Sequence, residues 1–159
     1  AVPANIRTPE RSLTFLTLTK EYTQVAVTYS STLKSNRMQL VADLVSGKTA
    51  AASTGTAVAG SLVIGTSALS GATGVLATIT LNASTGTVTS GVLTLSGTPL
   101  SATATATGTA ALAEFRNSSG GVIVSGLTVG SSGTDIIISS TSITSGQTVT
   151  VNSGSITHS

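Results

Sequence analysis

The chain has no cysteine and no tryptophan, and only two tyrosines and two phenylalanines among 159 residues. Without cysteine there is neither a disulfide framework nor a thiolate metal site. Four aromatic side chains, Phe15, Tyr22, Tyr29 and Phe115, are too few for a base-stacking platform. Charge is equally scarce. Asp, Glu, Lys and Arg make up 8% of the residues, against roughly 25% in an ordinary soluble domain. From Thr49 to Ala113 there is none at all.

The few charges are unevenly placed. Residues 1–48 carry Arg7, Arg11, Lys20, Lys34, Arg37 and Lys48 against Glu10, Glu21 and Asp43, whereas residues 49–159 carry only Arg116 against Glu114 and Asp135. The formal net charge of +2 therefore comes from the N-terminal third and does not form the dense basic face that nucleic-acid binding requires. Thr, Ser and Gly interrupt every apolar run, so none reaches the roughly 18 to 20 residues of a membrane helix. The start, "AVPANIRTPERS", lacks an apolar signal core. The expectation is a soluble protein made and used without crossing a membrane.

What is present is β-rich. Hydrophobic residues make up 40% of the chain, enough for a core, and the water-facing surface must be largely Thr and Ser. Short apolar runs follow one another after Thr49: "SLVIGT", "GVLATITL", "SGVLTLSG", "TAALAEFR", "GVIVSGLTV", "TDIIISS", "QTVTVN" and "GSIT". Turn-forming clusters such as "SGATG", "NASTG", "NSSGG" and "GSSGT" separate them. This spacing predicts an antiparallel β-sandwich or jelly-roll-like barrel. In "GVLATITL", Val75, Ala77, Ile79 and Leu81 share one face, and Thr78 and Thr80 the other. "TGT" recurs at Thr54, Thr85 and Thr107, but at unequal intervals, which argues against a solenoid. In "ATATATGTA" the simplest expectation is a short strand with Ala inward and Thr outward.

One helix is expected, over about residues 31–46, with Ser31 as N-cap and Gly47 as the stop. Leu33, Arg37, Leu40, Val41 and Leu44 have the spacing of its core-facing side. Residues 1–28 read as an extended N-terminal arm with possible strands in "SLTFLTLTK" and "TQVAVTY", and residues 29–159 as a single β-rich domain that begins with the helix.

Chemistry-bearing residues are few. His158, the only histidine, reads as a frayed tail residue, and the many serines have no candidate activating base. Glu114 and Asp135 are the only conceivable acid–base pair in the sheet region. No phosphate-binding loop is present, and neither a cofactor, a metal nor catalysis is expected. Glu114 and Arg116, two residues apart in a strand, should share a face while Phe115 points to the core. Asp135 opens a later strand and could approach Arg116. The simplest expectation is a solvent-facing ion cluster worth roughly 0.2–1 kcal/mol per pair. The alternative is that these charges key a contact with a partner.

The block "ALAEFRNSSGGVIVSGLTVGSSGTDIIISSTSITSGQTVTVNSGSIT" resembles one common in uncharacterised structural proteins of tailed bacteriophages and prophages. Its marks are the Phe-Arg, the Asn-Ser-Ser-Gly turn, the Val-Gly-Ser-Ser-Gly-Thr-Asp turn, and the "STSI" to "GQTVTV" pair. "TYSSTLKSNRMQLV" is similar to the N-terminal helix of those proteins. The resemblance covers Tyr29 to Val41 and Ala111 to Thr157; the middle agrees only in composition, and residues 1–28 depart from it. These motifs are distinctive together and weak singly.

The resemblance implies a virion component that is not an enzyme. Among such components a capsid decoration (cement) protein fits the composition, assembled in the host bacterial cytoplasm and carried on the capsid surface. Its expected partners are the major capsid protein and copies of itself, as a trimer or dimer, with no nucleic acid, membrane or small-molecule ligand. Arg7, Arg11 and Lys20 would meet acidic capsid surface, and the arm could cross to a neighbour or extend a sheet. A tail or head–tail connector component is the alternative within that class, and a surface adhesin or ice-binding protein the alternative outside it.

Overall fold

The computed structural model describes residues 27–50 and 54–158. Apart from Val27 and Thr28, the arm expected over residues 1–28 lies outside the described residues, as do Arg7, Arg11 and Lys20. The rest is mainly β with one helix packed on a many-stranded sheet, as the sequence predicts; the sheet is mixed, with one parallel strand pair where antiparallel pairing was expected.

The helix, α1, spans Ser31–Val45. Its N-cap is Ser30, one residue before the expected Ser31; the Ser30 backbone is extended and its hydroxyl accepts from the Leu33 amide at 3.2 Å. The helix stops at Ser46, followed by Gly47 at φ +71°, a conformation glycine adopts without strain. The larger departure is its facing. Met38, Ala42 and Val45 are buried, while of the expected face Val41 and Leu44 are half-buried and Leu33 and Leu40 are 40% and 36% exposed, so the helix is turned away from that face toward Met38 and Ala42. Helix α1 has apolar residues on two sides, and it docks by the slimmer one.

Among the described residues eleven strands follow. The first two, β1 (Ser61–Ser70) and β2 (Thr73–Thr80), form a hairpin, and β3 (Gly86–Thr89) and β4 (Val92–Leu95) form a second. Next come β5 (Leu100–Thr103), β6 (Gly108–Thr109), β7 (Leu112–Arg116) and β8 (Val122–Gly130). The last are β9 (Ile136–Ile138), β10 (Ser142–Ile143) and β11 (Thr148–Thr157). The main sheet runs β2-β1-β7-β8-β9-β11-β4-β3, with β5 also paired to β11.

Beyond β5, the Thr105 amide donates to the Leu76 carbonyl of β2 at 2.8 Å. The circuit β2-β1-β7-β8-β9-β11-β5 thus returns on itself, and the sheet wraps a core. Phe115, Leu62, Ile64, Ile79, Ile136 and Val151 fill its centre, each fully buried. The second half of β11 leaves this circuit to pair with β4, and β4 and β3 carry α1.

Period-two reading holds in β2 up to an irregularity. Ala77, Ile79 and Leu81 are buried, and Thr78 and Thr80 exposed, as expected. The register then slips, with Ile64 opposite Ala77 but Gly65 opposite Val75. The extra residue is Leu76, which is buried beside Ala77, while the expected Val75 is only half-buried. The Leu76 carbonyl freed there is the one Thr105 reaches.

"ATATATGTA" keeps its alternation, with Ala104 and Ala110 buried and Thr103, Thr105, Thr107 and Thr109 exposed, but it is divided between β5 and β6. "QTVTVN" and "GSIT" join into the single strand β11. The β3–β4 turn, Ser90–Gly91, has positive φ at both residues, the two-residue hairpin geometry that matches strand twist. A Cβ at Gly91 would stand 2.8 Å from that of Lys34, so the turn also presses closely on α1.

Candidate interaction site

Glu114 and Arg116 do share a face of β7, opposite Val63 and Ser61 of β1. They also bond to each other. The Arg116 Nε donates to Glu114 Oε1 at 2.6 Å, and Nη2 reaches the same oxygen. Phe115 between them is fully buried, as expected. The expected solvent-facing cluster, however, is not what forms. The Glu114 side chain is 4% exposed and that of Arg116 19%.

The cover comes from the β1–β2 hairpin. Arg116 Nη2 also donates to the carbonyl of Gly71 at the hairpin tip. Arg116 lies opposite Ser61, and a straight strand would carry Gly71 about 33 Å away from there. The hairpin must therefore curl back at the Gly65 irregularity and lay its tip over the outer face of β7. Val63, opposite Glu114, is fully buried on that same face. The charge pair thus holds a second layer on the sheet, in a setting where removing one partner would strand the other.

Asp135 does not join them. Its carboxylate accepts from the Thr128 amide at 2.8 Å and the Thr128 hydroxyl at 2.7 Å, and the Asp135 amide donates back to that hydroxyl at 3.1 Å. This reciprocal set closes the loop 131–134. It lets β9 pair parallel to β8, with Val129 opposite Ile136, where parallel pairing ordinarily needs a crossover of a dozen or more residues. Glu114 and Asp135 are therefore held by different partners and do not converge as an acid–base pair. Of the six expected interaction residues, Glu114 and Arg116 are brought together, Asp135 is placed apart, and Arg7, Arg11 and Lys20 lie outside the described residues.

His158 is packed rather than frayed. Its amide donates to the Gly91 carbonyl at 3.0 Å, and its Nε2 lies 3.3 Å from Arg37 Nη1. The Arg37 guanidinium sits 4.2 Å from the centre of the Tyr29 ring, and the Tyr29 and His158 rings meet edge-on at 6.4 Å. This cluster ties the entry of α1 to the end of β11.

Sequence reasoning missed a polar cluster at the other end of α1. Asp43, Ser46 and Thr85 are all buried. Asp43 Oδ1 accepts from Gln39 Nε2 at 3.2 Å and from Lys48 Nζ at 3.3 Å, while the hydroxyls of Ser46 and Thr85 meet at 2.9 Å. They border a cavity of about 70 Å³, which also touches Ser84 and Gly86. The spacing of Gln39, Asp43 and Lys48 around a helix end is a sequence signal; Thr85, far along the chain, gives none.

Chemically this cleft offers one carboxylate already bonded to a lysine, with hydroxyls that bond to each other. Among the described residues no group of three or more His, Cys, Asp or Glu is arranged to hold a metal ion, and no helix is long and apolar enough to cross a membrane. Compared with family models, curated proteins and solved structures, the chain matches none.

Proposed function

We propose that this chain is a non-enzymatic structural protein of a tailed-phage virion. In this reading it is a capsid decoration (cement) protein that binds the major capsid protein and stabilises the shell. The resemblance of Tyr29–Val41 and Ala111–Thr157 to phage structural proteins carries the reading. The packing of these two blocks against each other supports it. Ile156 of the second block packs against the cluster that Met38 and Ala42 form with Leu93, and His158, just past the second, meets Arg37 of the first.

The allocation of charge favours a passive role. Glu114 is bonded to Arg116, Asp135 to Thr128 and Asp43 to Lys48, each serving a local junction of the fold. The exposed surface of the strands is then a carpet of Thr and Ser, suited to broad contact with neighbouring subunits in a symmetric shell. On the capsid it sits as a dimer or trimer, with Arg7, Arg11 and Lys20 directed to acidic capsid surface.

Shells assembled without this protein provide the test. Added protein should co-sediment with them to saturation and raise the temperature at which they rupture. Absence of binding to shells, with binding to isolated tails or connectors instead, would replace the decoration role by the tail or head–tail one.

A further inference from the structure

Each acid among the described residues serves the fold itself. Asp43 is paired with Lys48, Glu114 with Arg116, and Asp135 accepts from both the amide and the hydroxyl of Thr128. The cations without a carboxylate partner among the described residues are Lys34 and Arg37, and both lie on α1, one turn apart. At that spacing their Cβ atoms are about 5–6 Å from each other.

Both are also held in place. The Arg37 guanidinium lies against the Tyr29 ring with one donor directed at His158, and it has further N–H donors to offer. The Lys34 stem lies along the Ser90–Gly91 turn, its Cβ and Cδ within 4 Å of where a side chain at Gly91 would begin. Apolar surface adjoins them. Leu33 and Leu40 are exposed on the helix side that carries Arg37, and Tyr29 is 37% exposed at the entry to the helix. Grouped apolar surface of this kind, edged by charge, marks a contact site.

We propose that this side of α1 is a docking surface for an acidic peptide segment of another protein. Two carboxylates meet Lys34 and Arg37, and an apolar side chain lies on Leu33 and Leu40. The inference rests on the decoration reading, which makes that other protein the major capsid protein. The spacing fits a peptide: acids two apart in an extended segment project to one face about 7 Å apart, and acids three or four apart in a helix about 5–6 Å apart. Arg37 can take its carboxylate through two N–H groups at once.

This chain does not supply such a segment. Asp43, Glu114 and Asp135 are bonded within the fold, and a second copy holds them in the same bonds. Glu10 and Glu21 each stand beside a cation in the sequence, Arg11 and Lys20, so neither stretch is acidic. A lipid surface is a poorer match, because lipid-binding segments gather about four to eight basic residues.

Binding of the full chain to shells assembled without it provides the test. Wild type should bind, and more weakly as salt is raised. Lys34→Glu should weaken binding about tenfold or more and reduce its salt dependence, whereas Ser131→Glu, a new acid on the exposed loop 131–134, should leave it unchanged. The double variant Leu33→Ser, Leu40→Ser keeps every charge and alters only exposed side chains. It should also bind more weakly, so a folding fault in the Lys34 variant leaves the test intact. Wild-type affinity in both the Lys34 and the leucine variants would overturn this surface and leave the decoration reading standing. An equal loss in the Ser131 variant would assign the effect to net charge and overturn it too. No binding of wild type to shells would overturn the decoration reading and this surface with it. Vesicles of phosphatidylcholine and phosphatidylserine, at about four to one, should not retain the protein; retention that Lys34→Glu abolishes would give the surface to a membrane and overturn the assignment.

Discussion

The described residues form two apolar clusters, and they are built on opposite terms. The larger, inside the strand circuit, unites nineteen buried side chains from most of the strands and from Val45 of α1. The smaller, beneath α1, has three: Met38, Ala42 and Leu93, with Val41, Val88 and Ile156 at its edge. In the first, alternation decides most of which side chains are inside, because a strand has only two faces, and the bulge at Leu76 is the exception. In the second, a helix with apolar residues on two sides meets a narrow platform of β4 and β3, and the platform selects the side. Close approach accompanies the choice: Gly91 admits the Lys34 Cβ only because it has no Cβ of its own, and the small Ala42 lies in the cluster beside Met38. Stability should therefore reside in the strand circuit, with α1 as a weakly held addition.

The sharpest way to break this comparison is to cut each cluster in turn. Phe115→Ala should lower unfolding free energy by about 3–5 kcal/mol and shift the whole domain's denaturant transition together. Met38→Ala should cost about 2–3 kcal/mol, and amide exchange should rise in α1 well before the strands. Equal exchange in α1 and β7 after Met38→Ala would mean that the two clusters are one cooperative unit.

Next in size is the charge pair that holds the second layer. Arg116→Met leaves Glu114 buried without its cation and should cost about 3 kcal/mol, measured by denaturant unfolding. Adding Glu114→Leu should recover most of that loss; a double variant as unstable as the single one would show that the Arg116 bond to Gly71, not the ion pair, holds the hairpin down. The smallest effect expected is at the helix cap, where Ser30→Ala should cost about 1 kcal/mol and the same change at Ser31 much less. Thermal unfolding of the two variants compares them directly.

The same contrast explains what the sequence makes legible. Most strands from Ser61 onward and the "NSSGG" hairpin, in which β8 returns antiparallel to β7, follow from alternation and turn residues, whereas β3 and β10 lie outside the expected runs. The extent of α1 follows from its capping serines and Gly47, but its facing does not, since periodicity ranks Leu33 and Leu40 above Met38 and Ala42. Local pattern also shows that Glu114 and Arg116 are neighbours. It cannot show that they are buried, because their cover is the tip of a hairpin that curls back at Gly65. Asp135 fails for a related reason: a side chain that closes its own loop onto Thr128 is no longer available across the sheet. The Ser46–Thr85 contact joins residues with no common motif and depends wholly on how α1 settles on β3.

The proposed role as a shell component is tested most directly by counting copies of this chain in purified virions of a phage that encodes it, using quantitative mass spectrometry against the major capsid protein. A decoration protein should be present at a fixed ratio to the shell subunit, amounting to hundreds of copies per particle, on the order expected for repeated symmetric sites. A count of about a dozen, as in a ring, or no copies at all in the purified particle, would contradict the account.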